Sequence, residues 1–314
     1  MLLTCILGFA TILALPVEAA DDPSELHQEA QTAFRAGNLA EAVRIWSDLA
    51  EQGHADAQNS LGLCYLNGEG VETDRAKAHS LFKAAASHGD APAQNNLALT
   101  YLKGWGVGRN EAAAFGWFMA AAQQGYAASQ KNVGIMLLNG QGVPKDEAAA
   151  RGWFLRGAEQ GERRSYYYLG LIHARGLGVV RDWALATRYF REGASRGDPG
   201  SCFMLAEALD EGKGCRVNDD QALTWYRRAA ERGHLRALLS LGEMFRDGDG
   251  VQQSLSRAMM WFELAERAGH PRAAASLQNV IDQASESEIG RAVQLREAFL
   301  DGLTPEARAQ FVDN

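Results

Sequence analysis

The chain has 314 residues, of which 46% are hydrophobic, and a formal net charge of −8. A mildly acidic chain without a Lys/Arg cluster points away from nucleic acid or an anionic membrane surface as its partner. Abundant alanine with only 7 prolines suits helices in an ordinary soluble protein.

The chain opens on an apolar run, MLLTCILGFATILALP, followed by the small-residue pattern Val17-Glu18-Ala19. That arrangement resembles a secretory signal peptide over residues 1–19, although no Lys or Arg precedes the apolar run. The run is short for a bilayer span. The expectation is therefore a periplasmic or secreted protein with no membrane insertion after cleavage. Outside this leader the cysteines are Cys64, Cys202 and Cys215, an odd number that leaves at least one thiol without an intramolecular partner. Cys202 and Cys215 are expected near opposite ends of one helix-plus-loop unit, beyond the ~7 Å Cα separation that a disulfide tolerates. Cys64, inside a helix, reads as a buried small hydrophobe.

Residues 20–53 read as a degenerate opening repeat. Ala30, Ala33 and Phe34 keep helical spacing up to Gly37, and Trp46 and Leu49 mark the apolar face of a second helix ending at Gly53. From there to residue 269 one pattern returns six times: LGLCYLNGEGV at Leu61, then LALTYLKGWGV, VGIMLLNGQGV, LGLIHARGLGV, LAEALDEGKGC and LGEMFRDGDGV. The second glycine of each copy stands at 70, 106, 142, 178, 214 and 250, a step of 36 residues without insertion or deletion. A fixed period of this length is the mark of a stacked-repeat architecture.

Within a copy, two helices are predicted. The first runs over Ala55 to Asn67, with Ala57, Leu61, Cys64 and Tyr65 on one face. Gly68 stops it and Gly70 allows the following turn; both positions are glycine in every copy, which implies φ > 0. Gly62, replaced by Ala98 and Ala206 elsewhere, requires only smallness, as for the close approach of a neighbouring helix. The second helix starts at an Asp74 N-cap and ends by Gly89, with Ala78, Leu81, Phe82 and Ala85 inward. Its later copies carry Trp117-Phe118, Trp153-Phe154, Trp225-Tyr226 and Trp261-Phe262, so most of the tryptophans are expected in the core. Over residues 270–314 the pattern decays. Ser285 and Glu288 form a capping box for a last long helix, whose Ile289, Val293, Leu295 and Phe299 are expected to cover the exposed face of the last repeat.

Leu-Gly-x-x-Tyr, Gly-x-Gly-Val and Ala-x-x-Trp/Tyr-Phe at a 36-residue period make the chain resemble the Sel-one-like repeat family, relatives of the tetratricopeptide repeat, over residues 54–269. The resemblance implies an all-α, right-handed α-α superhelix whose first helices line a concave groove. It also implies a scaffold or adaptor that binds a protein or peptide, in bacteria often secreted or periplasmic.

The chemical alternatives are weak. Ser80-Leu81-Phe82-Lys83 matches the S-x-x-K of β-lactamase-like hydrolases, but neither S-D-N nor K-T-G accompanies it. His54, His88, His234 and His270 lie at repeat edges without metal-ligand spacing, and the G-x-G pairs follow helices rather than strands. No catalytic residue, metal site or cofactor is expected. If the implied groove is correct, the residues facing it are Asn59, Asn95, Lys131, Tyr167, Phe203 and Leu239, then Leu63, Leu99, Ile135, Leu171, Glu207 and Glu243. The fourth copy differs most, with Arg163, Arg164, Tyr166, Tyr167, Tyr168, His173 and Arg175, residue types enriched at binding hot spots. Asn59, Asn95, Lys131, Arg164, Tyr167, Phe203 and Glu207 are the candidate contacts, with Glu207, Asp210 and Glu211 placed to recognise a basic segment.

Overall fold

The computed structural model describes residues 22–312, so the leader expected at 1–19 lies outside the described residues. All secondary structure among the described residues is helical. The chain divides into two compact units, Met1–Asn110 and Glu111–Asn314. In the first unit, α1 (Pro23–Arg35) pairs with α2 (Leu39–Glu51), α3 (Ala55–Asn67) pairs with α4 (Arg75–Ser87), and α5 (Ala91–Lys103) packs on α4. The second unit begins with α6 (Glu111–Gln123) and continues with the pairs α7 (Ala127–Asn139) and α8 (Glu147–Glu159), then α9 (Arg163–Arg175) and α10 (Trp183–Ser195). After these come α11 (Pro199–Glu211) with α12 (Asp219–Ala230), and α13 (Leu235–Asp247) with α14 (Leu255–Arg267). The closing helices are α15 (Ala273–Ile281), α16 (Glu286–Asp301) and α17 (Pro305–Val312).

Most of the helix pairs are set by the same local chemistry. At most of the second helices a side-chain oxygen accepts a backbone N–H three residues on: Asp74 from Lys77 at 2.9 Å, Asp146 from Ala149 at 2.8 Å, Asp182 from Leu185 at 2.9 Å and Asn218 from Gln221 at 2.9 Å, whereas Asn38 before α2 makes no such bond. The backbone N–H of the same capping residue closes the inter-helix loop onto the first helix, as from Asp146 to the Leu137 carbonyl at 2.9 Å. Two orphan groups are thereby satisfied by one residue.

The two loop glycines have different jobs. Gly140 is left-handed at φ 69°, caps α7 and has ordinary space around it. Gly142 is also left-handed, at φ 68°, but an added Cβ there would strike the backbone carbonyl of Glu111 at the start of α6. The second glycine is therefore a joint between repeats as well as part of a turn. The smallness of the Leu-Gly position has a similar cause: a Cβ on Gly134 would stand 2.7 Å from the Phe154 ring.

The core sets small residues against a buried aromatic on the second helix of each repeat. Ala114, Phe118, Ala121, Ala150, Phe154, Ala186, Phe190 and Phe262 are wholly buried. The tryptophans beside these phenylalanines correct the sequence expectation. Only Trp46 and Trp261 are buried, while Trp117, Trp153 and Trp225 are half-exposed. The phenylalanine takes the inward direction, and the tryptophan one residue earlier turns outward under an arginine three residues later, Arg156 at 4.5 Å from Trp153 and Arg228 at 4.5 Å from Trp225.

The C-terminal expectation is half met. The Ser285–Glu288 capping box is present and Trp261 meets Phe299 at 5.0 Å, with Phe311 of α17 buried beside them. Ile289 and Val293 do not cover the last repeat; they are 38% and 43% exposed. Helix α16 turns Ala292, Leu295, Phe299 and Leu300 inward instead, and an ion pair between Arg296 and Glu263 fixes that rotation.

Candidate interaction surface

One register position holds the helix pairs together and was not read from the sequence. In the first unit, Gln58 Nε2 donates to the Ala50 carbonyl at 3.1 Å and Gln94 Nε2 to the Ala86 carbonyl at 3.4 Å. In the second, Gln130 donates to Ala122 at 3.4 Å and the Tyr166 hydroxyl to Ala158 at 2.7 Å. Each side chain adds a second donor to a carbonyl in the last turn of the preceding helix, which also accepts the N–H of the glycine that ends that helix. The recurrence of glutamine at a 36-residue step was the available signal. Tyr166 is thereby a structural residue, and Arg196 covers its ring at 4.5 Å.

The residues one place further along are those expected to face a partner, and they separate into two groups. In the first unit Asn59 is half-buried and accepts from Asn96 Nδ2 at 2.9 Å, whereas Asn95 is buried at 7% exposure. In the second unit Lys131 and Tyr167 are half-buried and Arg164 is exposed. Phe203, by contrast, is 2% exposed and Leu239 likewise. Phe203 lies between His234, stacked on it at 4.5 Å, and the Arg236 guanidinium 4.6 Å from its ring centre. Asn95 and Phe203 are buried, so neither offers an exposed side chain to a partner.

The acidic end expected at Glu207, Asp210 and Glu211 is not free for a basic segment. Glu207 pairs with Arg236 at 3.0 Å, Asp210 accepts from the Tyr226 hydroxyl at 3.3 Å, and Glu211 pairs with Lys213. Burial raises the Glu207 and Asp210 carboxyls above the usual range, opposed at Glu207 by Arg236 and at Asp210 by the Tyr226 hydrogen bond. Sequence reasoning missed Arg236 and its counterpart Arg272, which pairs with Glu243 at 3.8 Å. Their spacing of 29 residues from the glutamates repeats in both pairs.

The fourth repeat keeps an exposed cationic edge over an aromatic floor. Tyr168 stacks on Phe154 at 4.8 Å, and Tyr167 meets Tyr168 edge-on at 5.3 Å. His173 is buried and stacks on Tyr189 at 5.6 Å, with burial lowering its basicity. Arg163, Arg164 and Arg175 remain exposed. Burial lowers the Lys131 ammonium below the usual lysine range; Glu162 opposes this, and Arg164 and Arg163 add to it.

The chemical alternatives find no support. Ser80 donates its hydroxyl to the Lys77 carbonyl at 2.7 Å on the exposed side of α4, an ordinary helix-surface bond. A hydrolase nucleophile needs a base and an oxyanion site, and this serine is spent on its own helix. Cys64, Cys202 and Cys215 are free thiols, and burial pushes the Cys64 and Cys202 thiols up to about 11. Among the described residues no group of three or more His, Cys, Asp or Glu could hold a metal ion, and no helix is long and apolar enough to cross a membrane.

Tandem antiparallel helix pairs joined by a left-handed glycine stop define a helical repeat protein whose free chemistry lies on its surface. The Sel1 repeat matches it six times, at residues 55–90, 91–126, 127–162, 163–198, 199–234 and 235–270, and the chain belongs to the Sel1 repeat family. It is similar to the crystal structure of a Sel1 repeat protein from Oxalobacter formigenes, at 30% identity and a TM-score of 0.72 over 76% of this chain and 96% of that one. It is also similar to c5321, a protective antigen of uropathogenic Escherichia coli strains with the same kind of repeat, at 24% identity and a TM-score of 0.47, covering 92% of this chain and 78% of that one. Yeast Tom70 shares the fold at 14% identity and a TM-score of 0.52, over 97% of this chain and 66% of that one. Among curated proteins nothing matches.

Proposed function

We propose that the chain is an exported Sel1 repeat scaffold that holds a protein segment on the first-helix face of its second unit and serves a regulatory or assembly role in the bacterial cell envelope. The observation that carries the reading is the fourth repeat. Tyr167 is half-buried, with Arg164 exposed one turn before it, while the aromatic and acidic positions in the next repeat are filled by internal partners. A repeat array spends its invariant positions on packing and leaves the variable ones for recognition. Half-buried tyrosine beside arginine is the composition that dominates binding energy at protein interfaces.

Export rests on the apolar leader and its Val17-Glu18-Ala19 ending. Mass spectrometry of the protein recovered from a periplasmic extract is expected to show a chain beginning at residue 20 or 21. An intact N-terminus on cytoplasmic protein would remove the export part of the reading. For the scaffold part, Arg164→Ala, at an exposed position, is expected to weaken partner recovery in pull-down without lowering the melting temperature, and Tyr167→Ala to abolish it with some loss of stability, because that ring also packs on Tyr168 and Phe190. Unchanged recovery would reject this face.

A further inference from the structure

We propose that the first-helix face of the second unit takes an acidic extended peptide segment, one carboxylate of which pairs with Arg164 while a neighbouring side chain lies on the Tyr167 ring. The inference rests on the scaffold reading and adds the chemistry of what is held. A glutamate on one first helix meets an arginine at the start of the next such helix in a fixed register, Glu207 with Arg236 on α13 at 3.0 Å and Glu243 with Arg272, the N-cap of α15, at 3.8 Å. Arg164 occupies the arginine place of that register two repeats before Arg236. The residue in its glutamate place is Ile135, half-buried on α7. Arg164 therefore has no carboxylate partner among the described residues, although its position is one that elsewhere holds one. A planar guanidinium fork in that state suits a carboxylate from outside.

The surroundings strengthen the choice of an acidic ligand. Lys131 on the adjacent helix and Arg175 on α9 add positive charge near Tyr167 and Arg164. The acids close by are already committed. Glu162 accepts from the Ser165 backbone at 2.6 Å and hydroxyl at 2.7 Å, Asp198 is 3% exposed and caps α11 through Ser201 at 2.6 Å, and Glu207 holds Arg236. A locally cationic face on a chain of net charge −8 is a departure from the average.

The aromatic floor is equally built. Between Arg164 and Arg236 the same row has Gly200, and a Cβ there would stand 3.1 Å from the Tyr167 ring. The ring thus lies where a side chain of the row would otherwise rise, giving the order cation, aromatic, cation along three repeats. An extended segment with a carboxylate beside an apolar or aromatic side chain matches it. A basic segment would meet no uncommitted carboxylate on this face, and a nucleic acid would need a longer cationic stripe than these residues supply.

Selection of short random peptides on the purified chain tests the proposal. The expected result is enrichment of sequences carrying Asp or Glu next to an aromatic or aliphatic residue. Ile135→Glu, which supplies the missing internal carboxylate, should then weaken the selected peptides about tenfold (~1.4 kcal/mol) with no fall in melting temperature. Ile135→Gln, of the same size, should change affinity by no more than about a factor of two. Enrichment of neutral or basic peptides, equal binding to the Ile135→Glu and unaltered chains, or displacement by heparin regardless of peptide sequence would overturn the acidic-segment inference and leave the scaffold reading standing. A selection that yields no peptide sensitive to Arg164→Ala or Tyr167→Ala would overturn both.

Discussion

Gly142 and Gly140 lie two residues apart with nearly the same φ, yet they are not equivalent, because only Gly142 abuts the backbone at the start of α6. Gly140→Ala is expected to cost about 1–2 kcal/mol, the penalty of a left-handed alanine. Gly142→Ala adds a backbone clash of the overpacking kind, about 1–3 kcal/mol more. Chemical denaturation of the two variants should show that order; equal losses would mean that the second glycine serves its turn alone. The sequence made the positive φ of both legible, since glycine recurs at both places in every copy. It did not reveal the joint, because a steric contact with a helix start about thirty residues upstream leaves no mark beyond the same letter. The tryptophans mislead for a related reason: composition says that they are large and apolar, but only the rotation of the helix decides that Phe154 is buried and Trp153 turned out under Arg156.

The caps at Asp74 and Ser285 were readable, because a cap is a local bond between a side chain and the N–H three residues on. One cap is unusual. His234 accepts the Ala237 N–H at 3.3 Å through Nδ1, stacks on Phe203 and sits near Arg236. Burial, helped by Arg236, pushes its pKa down to about 4 from an ordinary 6.5. Protonation would remove the acceptor and add a second cation, so the folded chain binds the proton less readily than the unfolded one. Stability is then expected to fall as pH drops from about 6.5 toward about 4. Melting curves across that range should be flatter for His234→Asn, which keeps an acceptor without titrating; a slope equal to that of the unaltered chain would show that other groups set the dependence. The inward face of α16 was not legible in the same way. Its apolar residues were visible, but the choice of Ala292 and Leu300 over Ile289 and Val293 depends on Arg296 reaching Glu263, a contact 33 residues away.

For the whole chain, repeat number, helix pairing and the all-helical class followed from the 36-residue period. The surface did not, since a ligand-facing residue and an inter-helix residue occupy the same register. Tyr167 and Phe203 are one period apart, and only the neighbours His234 and Arg236 close the second while Gly200 leaves the first open. The central claim is that this array binds a protein on the first-helix face of its second unit. A photo-reactive benzoylphenylalanine at position 167, compared in living cells with the same group at position 153 on the second-helix side, tests it most directly. A covalent protein adduct is expected from position 167 and none from position 153. Adducts from position 153 alone, or from neither, would contradict it.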